Sequence, residues 1–175
     1  MTRAPSPDKP RVGITIGDPA GIGPEIVLKA VADDGVRAAC STIIIGPAAE
    51  LLRQAGELGL NGNFPAYSDE APGLDNLNAP AIFDTNNLNV KVKWGSLSAA
   101  SGRAAIAAIE ACVGLCRAGK LDAMATAPIN KEALNLAGSP FPGHTEMITA
   151  LCGADQSLMC FFGGDLKVFL LTVHT

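Results

Sequence analysis

Short apolar runs rich in β-branched residues alternate along this chain with longer segments whose apolar residues recur at helical spacing. Residues 12–16 form the first run, and a glycine-rich loop at 17–25 leads from it into a helical segment. Residues 41–45 form the second run, followed by the break Gly46-Pro47 and another helical segment. Because strands that alternate with helices pack as parallel neighbours, this pattern predicts an α/β fold, a mostly parallel sheet covered by helices on both faces.

The same alternation continues to the end of the chain. Ser98 or Ser101 is expected to cap a long helix that ends near residue 118. Gly163-Gly164-Asp165 predicts a hairpin between two late strands, which would join the sheet and make it mixed. The remaining predicted elements are strands at 81–84, 123–126, 158–162 and 166–173, and helices at 130–137 and 143–152. The strands at 123–126 and at the end of the chain are expected to be buried.

Length and composition predict one domain. The chain has 175 residues, and we expect residues 1–10 to be a flexible lead and residues 61–80, rich in Asn, Pro and Gly, to be a surface excursion. Its formal net charge of -4 and the lack of a dense basic cluster argue against binding to nucleic acid or to an anionic membrane. No signal-peptide core or membrane-spanning run is recognisable, so a cytoplasmic location is expected.

Five cysteines are scattered through the sequence. Cys112 and Cys116 have a spacing that could hold a metal or a disulfide, but the apolar residues around them favour the buried face of a helix.

Ligands of parallel α/β sheets bind at the carboxyl ends of the strands, which directs attention to the residues that follow each predicted strand. The loop 17–25 is compatible either with an anion-binding loop or with a tight structural turn. Lys131 follows the strand at 123–126 and is either a ligand contact or a solvated lysine. His144 and Thr145 begin a predicted helix, where a phosphate would meet an imidazole, a hydroxyl and free N–H groups. The alternative is that Thr145 is an ordinary N-cap and His144 a surface residue. His174 ends the last predicted strand and is a candidate metal ligand, although one histidine is not a metal site.

Three segments, ITIGDPAGIGPEIVLKA, ATAPINKEALNLAGSPFPGHTEMITALCGA and LLTVHT, resemble the 4-hydroxythreonine-4-phosphate dehydrogenase family in order and spacing. The resemblance implies a homodimeric three-layer α/β/α enzyme, similar in fold to isopropylmalate dehydrogenase, that uses NAD or NADP and a divalent cation such as Zn, Mg or Co. It implies that His144 and Thr145 bind a phosphorylated small-molecule substrate and that His174 ligates the cation. Lys131 is carried as a candidate catalytic residue.

The activity that the resemblance implies is oxidation and decarboxylation of 4-phosphohydroxy-L-threonine to 3-amino-2-oxopropyl phosphate, in pyridoxine phosphate biosynthesis. The chain matches the N-terminal part of that family, so the other metal ligands, the remaining substrate contacts and most of the NAD site are expected in a later portion. The isolated chain is therefore expected to be inactive, and its uncovered apolar strands predict self-association.

Three alternatives stay open from the sequence. A paralogue acting on phospho-threonate or a related acid would share the phosphate and metal motifs. A non-catalytic fragment would bind a phosphorylated ligand without turnover. A phosphate acetyltransferase-like α/β domain is the third alternative.

Overall fold

Five parallel strands form the central sheet of this protein. The structure is a computed structural model that describes residues 9–60, 64–68, 80–85 and 92–171. Within these ranges the sheet has the order β3-β4-β2-β1-β5, and every neighbouring pair is parallel. The strands are β1 (Arg11–Thr15), β2 (Ser41–Gly46), β3 (Ala66–Tyr67), β4 (Ala81–Asp84) and β5 (Ala123–Thr126). The predicted α/β class with a mostly parallel sheet is confirmed.

Helices connect the strands as the alternation predicts. The described helices are α1 (Gly23–Ala32), α2 (Asp34–Ala39), α3 (Ala48–Glu57), α4 (Ala99–Arg117), α5 (Lys131–Leu136) and α6 (His144–Cys152). Ser98 is the N-cap of α4, because its hydroxyl accepts the N–H of Ser101 at 3.1 Å. The short helix α2 was not predicted, and the Asp33 side chain starts it by accepting the N–H of Val36.

Helices cover both faces of the sheet, which gives the predicted three layers. On β2, Ile44 packs into a cluster with residues of α1 and α3, whereas Ile43 and Ile45 pack on the other face with residues of α4. Because successive side chains of a strand point to opposite faces, the uninterrupted run of isoleucines is the expected sequence of a strand buried on both sides.

Helix α4 is the core helix of the second face. It contacts β1, β2, β5, α5 and α6. Cys112 is fully buried in this face, and burial raises the pKa of its thiol to about 12, so the core interpretation of this cysteine is confirmed. By length and composition alone α4 could cross a membrane, contrary to the sequence expectation, but half of that stretch is buried inside the protein.

The late hairpin forms as predicted but does not join the central sheet. Strands β6 (Cys160–Gly163) and β7 (Leu166–Phe169) pair antiparallel, with Phe161 opposite Val168. Within the described ranges they form a separate two-stranded sheet, so the expectation of a mixed central sheet is not met. A hairpin satisfies its own inner ladder of hydrogen bonds, and the strand pattern alone does not specify a further partner.

Burial also differs from the sequence prediction. Strand β5 is largely exposed, and Phe162 and Phe169 of the hairpin are 71% and 63% exposed. The exposure of β5 differs from the prediction, because apolar composition identifies surface that avoids water without identifying what covers it. The exposed hairpin agrees with the expectation that the late apolar strands are uncovered in this chain. Self-association through this surface stays a prediction.

Described residues of the stretch 61–80 belong to the core and to the central sheet. Within its described residues, Phe64 is buried in the α1/α3 cluster and β3 pairs with β4 at the sheet edge, which differs from a pure surface excursion. Residues 1–8, most of the predicted flexible lead, lie outside the described residues.

Candidate phosphate site at the carboxyl edge of the sheet

The carboxyl ends of β1 and β5 lie side by side, and this brings two of the candidate loops together. Thr15 is in register with Thr126, and the N–H of Asp18 donates to the carbonyl oxygen of Pro128 at 2.9 Å. Gly17 has a φ of +69°, and a Cβ there would lie 2.2 Å from the same carbonyl oxygen. Only glycine therefore fits this contact between the loops.

The β1–α1 loop is a tight turn stabilised from within. The Asp18 carboxylate accepts the N–H of Ala20 at 2.8 Å, and the carbonyl of Asp18 accepts the N–H of Gly21 at 3.0 Å. Such an Asx turn explains the sequence Gly-Asp-Pro-Ala-Gly without a ligand. Burial raises the pKa of Asp18, because the fold withdraws its carboxylate from water.

Lys131 lies against the N-terminus of α6. It is the first residue of α5, which begins there because the Asn130 side chain accepts the N–H groups of Glu132 and Ala133 at 2.9 and 3.1 Å. A Cβ placed on Gly143 would lie 3.9 Å from Cε of Lys131 and 3.5 Å from Oε2 of Glu146. The structure therefore brings Lys131 together with the motif that contains His144 and Thr145.

Helix α6 starts without a side-chain cap. Gly143 is its N-cap, so the alternative that Thr145 serves as the cap is wrong, and Thr145 is exposed in the first turn. A helix start of this kind leaves its first N–H groups without intrahelical acceptors and carries a partial positive charge. Met147, 2% exposed, anchors the same turn to Ile109 and Val113 of α4, so the helix start is held in place.

His144 carries an unsatisfied ring nitrogen. Its Nε2 is buried without a hydrogen-bond partner, and burial lowers the pKa of the imidazole. A buried polar atom without a partner costs about 1–3 kcal/mol, which a hydrogen-bonding ligand would recover. Burial favours the neutral form of this half-buried ring, whereas a phosphate dianion beside it would favour the imidazolium.

The charges around the start of α6 favour a bound anion, except for the carboxylate of Glu146. Lys131 and the helix dipole attract a phosphate, whereas the Glu146 carboxylate in the first turn of α6 repels it. The carboxylate of Glu146 would thus weaken the attraction of this helix start for a phosphate.

The metal prediction falls outside this part of the chain. His174 lies outside the described residues, and within the described ranges no three His, Cys, Asp or Glu side chains come close enough to hold a metal ion.

A cavity of about 280 Å³ beside the β1–α1 loop was missed by the sequence analysis. Residues 20–22 form one wall, and Glu25, Gln54 and the pair Trp94-Gly95 form the others; we call it the loop cavity. The sequence feature that could have indicated this cavity is Gln54, a polar residue one turn beyond the buried Leu51 on the apolar face of α3.

Comparison with known proteins places this geometry in a family. The family model described as pyridoxal phosphate biosynthetic protein PdxA matches residues 38–175. The chain is 36% identical over 168 residues to a 4-hydroxythreonine-4-phosphate dehydrogenase of Trichlorobacter lovleyi and 40% identical over 167 residues to a D-threonate 4-phosphate dehydrogenase of Cupriavidus necator. These matches cover 95% and 94% of this chain and 50% of each relative.

A solved structure agrees with the sequence relatives. The crystal structure of a 4-hydroxythreonine-4-phosphate dehydrogenase from Burkholderia phymatum superposes with a TM-score of 0.85 and 36% identity, covering 96% of this chain and 51% of that one. The chain thus spans about half the length of the relatives it matches. Because these relatives are dehydrogenases, the phosphate acetyltransferase-like alternative is set aside. The chain belongs to the family of the pyridoxal phosphate biosynthetic protein PdxA.

Proposed function

We propose that this chain supplies the phosphate-binding half of an NAD- or NADP-dependent dehydrogenase. The reaction is oxidation and decarboxylation of 4-phosphohydroxy-L-threonine to 3-amino-2-oxopropyl phosphate, in pyridoxine phosphate biosynthesis. The observation that carries the proposal is the placement of Lys131 against the uncapped N-terminus of α6, beside His144 and Thr145.

The phosphate is the part of the substrate that these residues recognise. Lys131 offers an ammonium, Thr145 a hydroxyl, His144 an imidazole, and the first turn of α6 its free N–H groups. Hydrogen bonds with a charged partner contribute about 1.5–3 kcal/mol each, so a few of them suffice for useful affinity. Lys131, carried from the sequence as a candidate catalytic residue, has in this placement the role of a phosphate contact.

Remote binding of the phosphate also orients the carbon that reacts. Holding one end of a small substrate on a rigid helix start restricts the positions of its alcohol and carboxylate, which lowers the entropic part of the barrier. When bound, the oxidised cofactor would supply the acceptor for a hydride from the alcohol carbon as the hydroxyl proton is released. The resulting β-keto acid would lose carbon dioxide, and its α-carbon would take up one proton from water.

The remaining parts of the proposal come from the family resemblance. His174 is proposed as one ligand of a divalent cation such as Zn, Mg or Co, which would polarise the substrate's oxygens when bound. We also propose that the complete enzyme is a cytoplasmic homodimer and that the isolated chain binds substrate without turning it over.

A second substrate is favoured by a specific finding. The Cupriavidus necator relative, at 40% identity, is a D-threonate 4-phosphate dehydrogenase. The two substrates share the phosphate and differ where one carries an amine and the other a hydroxyl. The residues described above contact the shared end, so both substrates fit the same phosphate site.

Calorimetry on this chain tests the proposal. We expect heat of binding with 4-phosphohydroxy-L-threonine or D-threonate 4-phosphate, and none with the same molecules lacking the phosphate. His144→Ala should weaken binding about tenfold or more, since it removes a charge-assisted hydrogen bond. Thr149→Ala is the matched control, because Thr149 lies one turn further along α6 and its hydroxyl donates to the carbonyl of Thr145.

Two results would count against the proposal. Equal heats with phosphorylated and dephosphorylated ligands would mean that the phosphate is not what the chain recognises. Equal losses in His144→Ala and Thr149→Ala would mean that the effect comes from the helix and not from the imidazole. A comparison of the two phosphorylated ligands then decides between the two substrates.

A further inference from the structure

Thr126 ends strand β5 with a side chain that the fold does not use. The residue is exposed, and its hydroxyl forms no hydrogen bond within the described part of the chain. The next residue, Ala127, is buried, and its N–H donates to the carbonyl of Thr15 at 3.1 Å, which fixes the end of the strand. Thr126 therefore presents an unpartnered hydroxyl from a backbone that is held in place.

The side chain of Thr126 lies on the face of the sheet that carries α4 and α6. Met124, two residues earlier in β5, packs against a cluster formed by Ile109 and Val113 of α4 and Met147 of α6. Side chains two positions apart in a strand share a face, so Thr126 points to the same side as Met124.

Helix α6 starts at the edge of the sheet where Thr126 lies. Arg117, at the end of α4, donates to the carbonyl of Leu151, near the end of α6, at 2.8 Å. The segment after α4 reaches the amino end of β1, where the Asp122 carboxylate accepts the backbone N–H of Arg11 at 2.8 Å. Both helices therefore end at the amino edge. Since an earlier turn of α6 packs on earlier turns of α4, α6 starts at the carboxyl edge, where β5 ends.

Most groups at the start of α6 can only donate hydrogen bonds. The ammonium of Lys131, the N–H groups of the helix and a charged His144 have no acceptor atom, which suits a phosphate. The carbon chain of either proposed substrate carries hydroxyl or ammonium groups, which need an acceptor as well. A threonine hydroxyl both donates and accepts, so Thr126 suits the carbon chain better than the phosphate.

We propose that the hydroxyl of Thr126 contacts the carbon chain of the substrate and so positions the part of the molecule that is oxidised. The inference rests on the proposed function and extends the substrate site from the start of α6 to the end of β5. Ligands of parallel sheets bind across the carboxyl ends of the strands, so this is the direction expected for the substrate.

Thr15 provides a matched control on the neighbouring strand. It is in register with Thr126, but it is fully buried, and its Oγ1 has no hydrogen-bond partner within the described residues. Thr15→Val and Thr126→Val each replace a hydroxyl by a methyl group and keep the branched shape. Only the hydroxyl of Thr126 is exposed to a ligand.

Calorimetry on these variants tests the contact. Thr126→Val should weaken the binding of 4-phosphohydroxy-L-threonine and of D-threonate 4-phosphate about two- to tenfold, since one hydrogen bond is lost. Its affinity for inorganic phosphate should not change, whereas His144→Ala should weaken all three ligands. Thr126→Ser should bind more tightly than Thr126→Val, because it restores the hydroxyl. Thr15→Val should bind as the unchanged chain does, and circular dichroism checks that each variant is folded.

The outcomes separate this inference from the proposed function. Unchanged affinity of Thr126→Val for both phosphorylated ligands overturns the inference, even where His144→Ala supports the phosphate site. An equal loss with inorganic phosphate, or an equal loss in Thr15→Val, also overturns it, because the effect then comes from the phosphate end or from the sheet. A loss confined to Thr126→Val and to the two phosphorylated ligands supports it. Absence of binding to the unchanged chain overturns both proposals.

Discussion

Gly102 of α4 is predicted to tolerate no side chain, because helix α5 passes directly over it. A Cβ there would lie 2.0 Å from the carbonyl oxygen of Ala133 and 2.9 Å from the Cβ of Ala137. Ordinary contact begins at 3.4 Å, so Gly102→Ala requires the two helices to separate by about 1.4 Å. The obstacle is helix backbone, which cannot turn aside as a flexible side chain can.

Two opposing effects set the change in the free energy of unfolding that is expected for Gly102→Ala. Forcing an extra methyl group into a packed interface costs about 1–3 kcal/mol. Replacing glycine by alanine inside a helix returns about 0.5–1 kcal/mol. Gly102→Ala should therefore lower the free energy of unfolding by about 0–2.5 kcal/mol. For a chain of this size each kcal/mol corresponds to about 2–4 °C in Tm.

Gly114→Ala is the matched control in the same helix. A Cβ at Gly114 meets nothing within 4 Å, so the propensity gain stands alone and the variant should be more stable by about 0.5–1 kcal/mol. Urea unfolding followed by circular dichroism measures both. Stabilisation by both substitutions would refute the packing of α5 on α4 described here, and with it the basis for the position of Lys131.

Three further predictions follow from individual residues. Gly17→Ala should destabilise more than Gly59→Ala in urea unfolding, since both have positive φ but only Gly17 also meets a backbone carbonyl, at 2.2 Å; equal losses would contradict the loop contact. Asp18→Asn should raise stability at pH 7, because burial raises the pKa of Asp18 above 3.8 and the folded chain loses stability as the pH rises from 3.8 through that raised pKa. The gain should vanish below pH 3.8. A gain that does not depend on pH would contradict the burial of this carboxylate. Cys112 should resist a thiol reagent in the folded chain while the exposed Cys152 reacts, and mass spectrometry showing equal labelling would contradict the buried core.

The fold could be predicted from the sequence because strand and helix signals are local. The β-branched runs at β1 and β2, the serine cap of α4 and the glycine turn of the hairpin each act within a few residues. Helix α2 was missed because its six residues are too few to show a period. The exposure of β5 was missed because burial depends on what packs against a strand, which its own residues do not encode.

Part of the candidate site could likewise be predicted from the sequence, and part could not. The residues at the start of α6 could be proposed from the sequence, because glycine followed by His144 and Thr145 at a helix start has the chemistry of an anion site. The contact between Lys131 and Gly143 joins residues that no local pattern connects. The loop cavity was missed for the same reason, since Gln54 and Trp94 come from segments far apart in the chain.

The ionisation of His144 tests the central claim most directly. NMR titration of the imidazole, assigned with His144→Gln, gives its pKa in the free chain and in the presence of 4-phosphohydroxy-L-threonine or D-threonate 4-phosphate. In the free chain, burial should hold the pKa below 6.5, and a phosphate dianion bound at the start of α6 should raise it. A pKa for His144 that is the same with and without saturating amounts of both ligands would contradict the phosphate site.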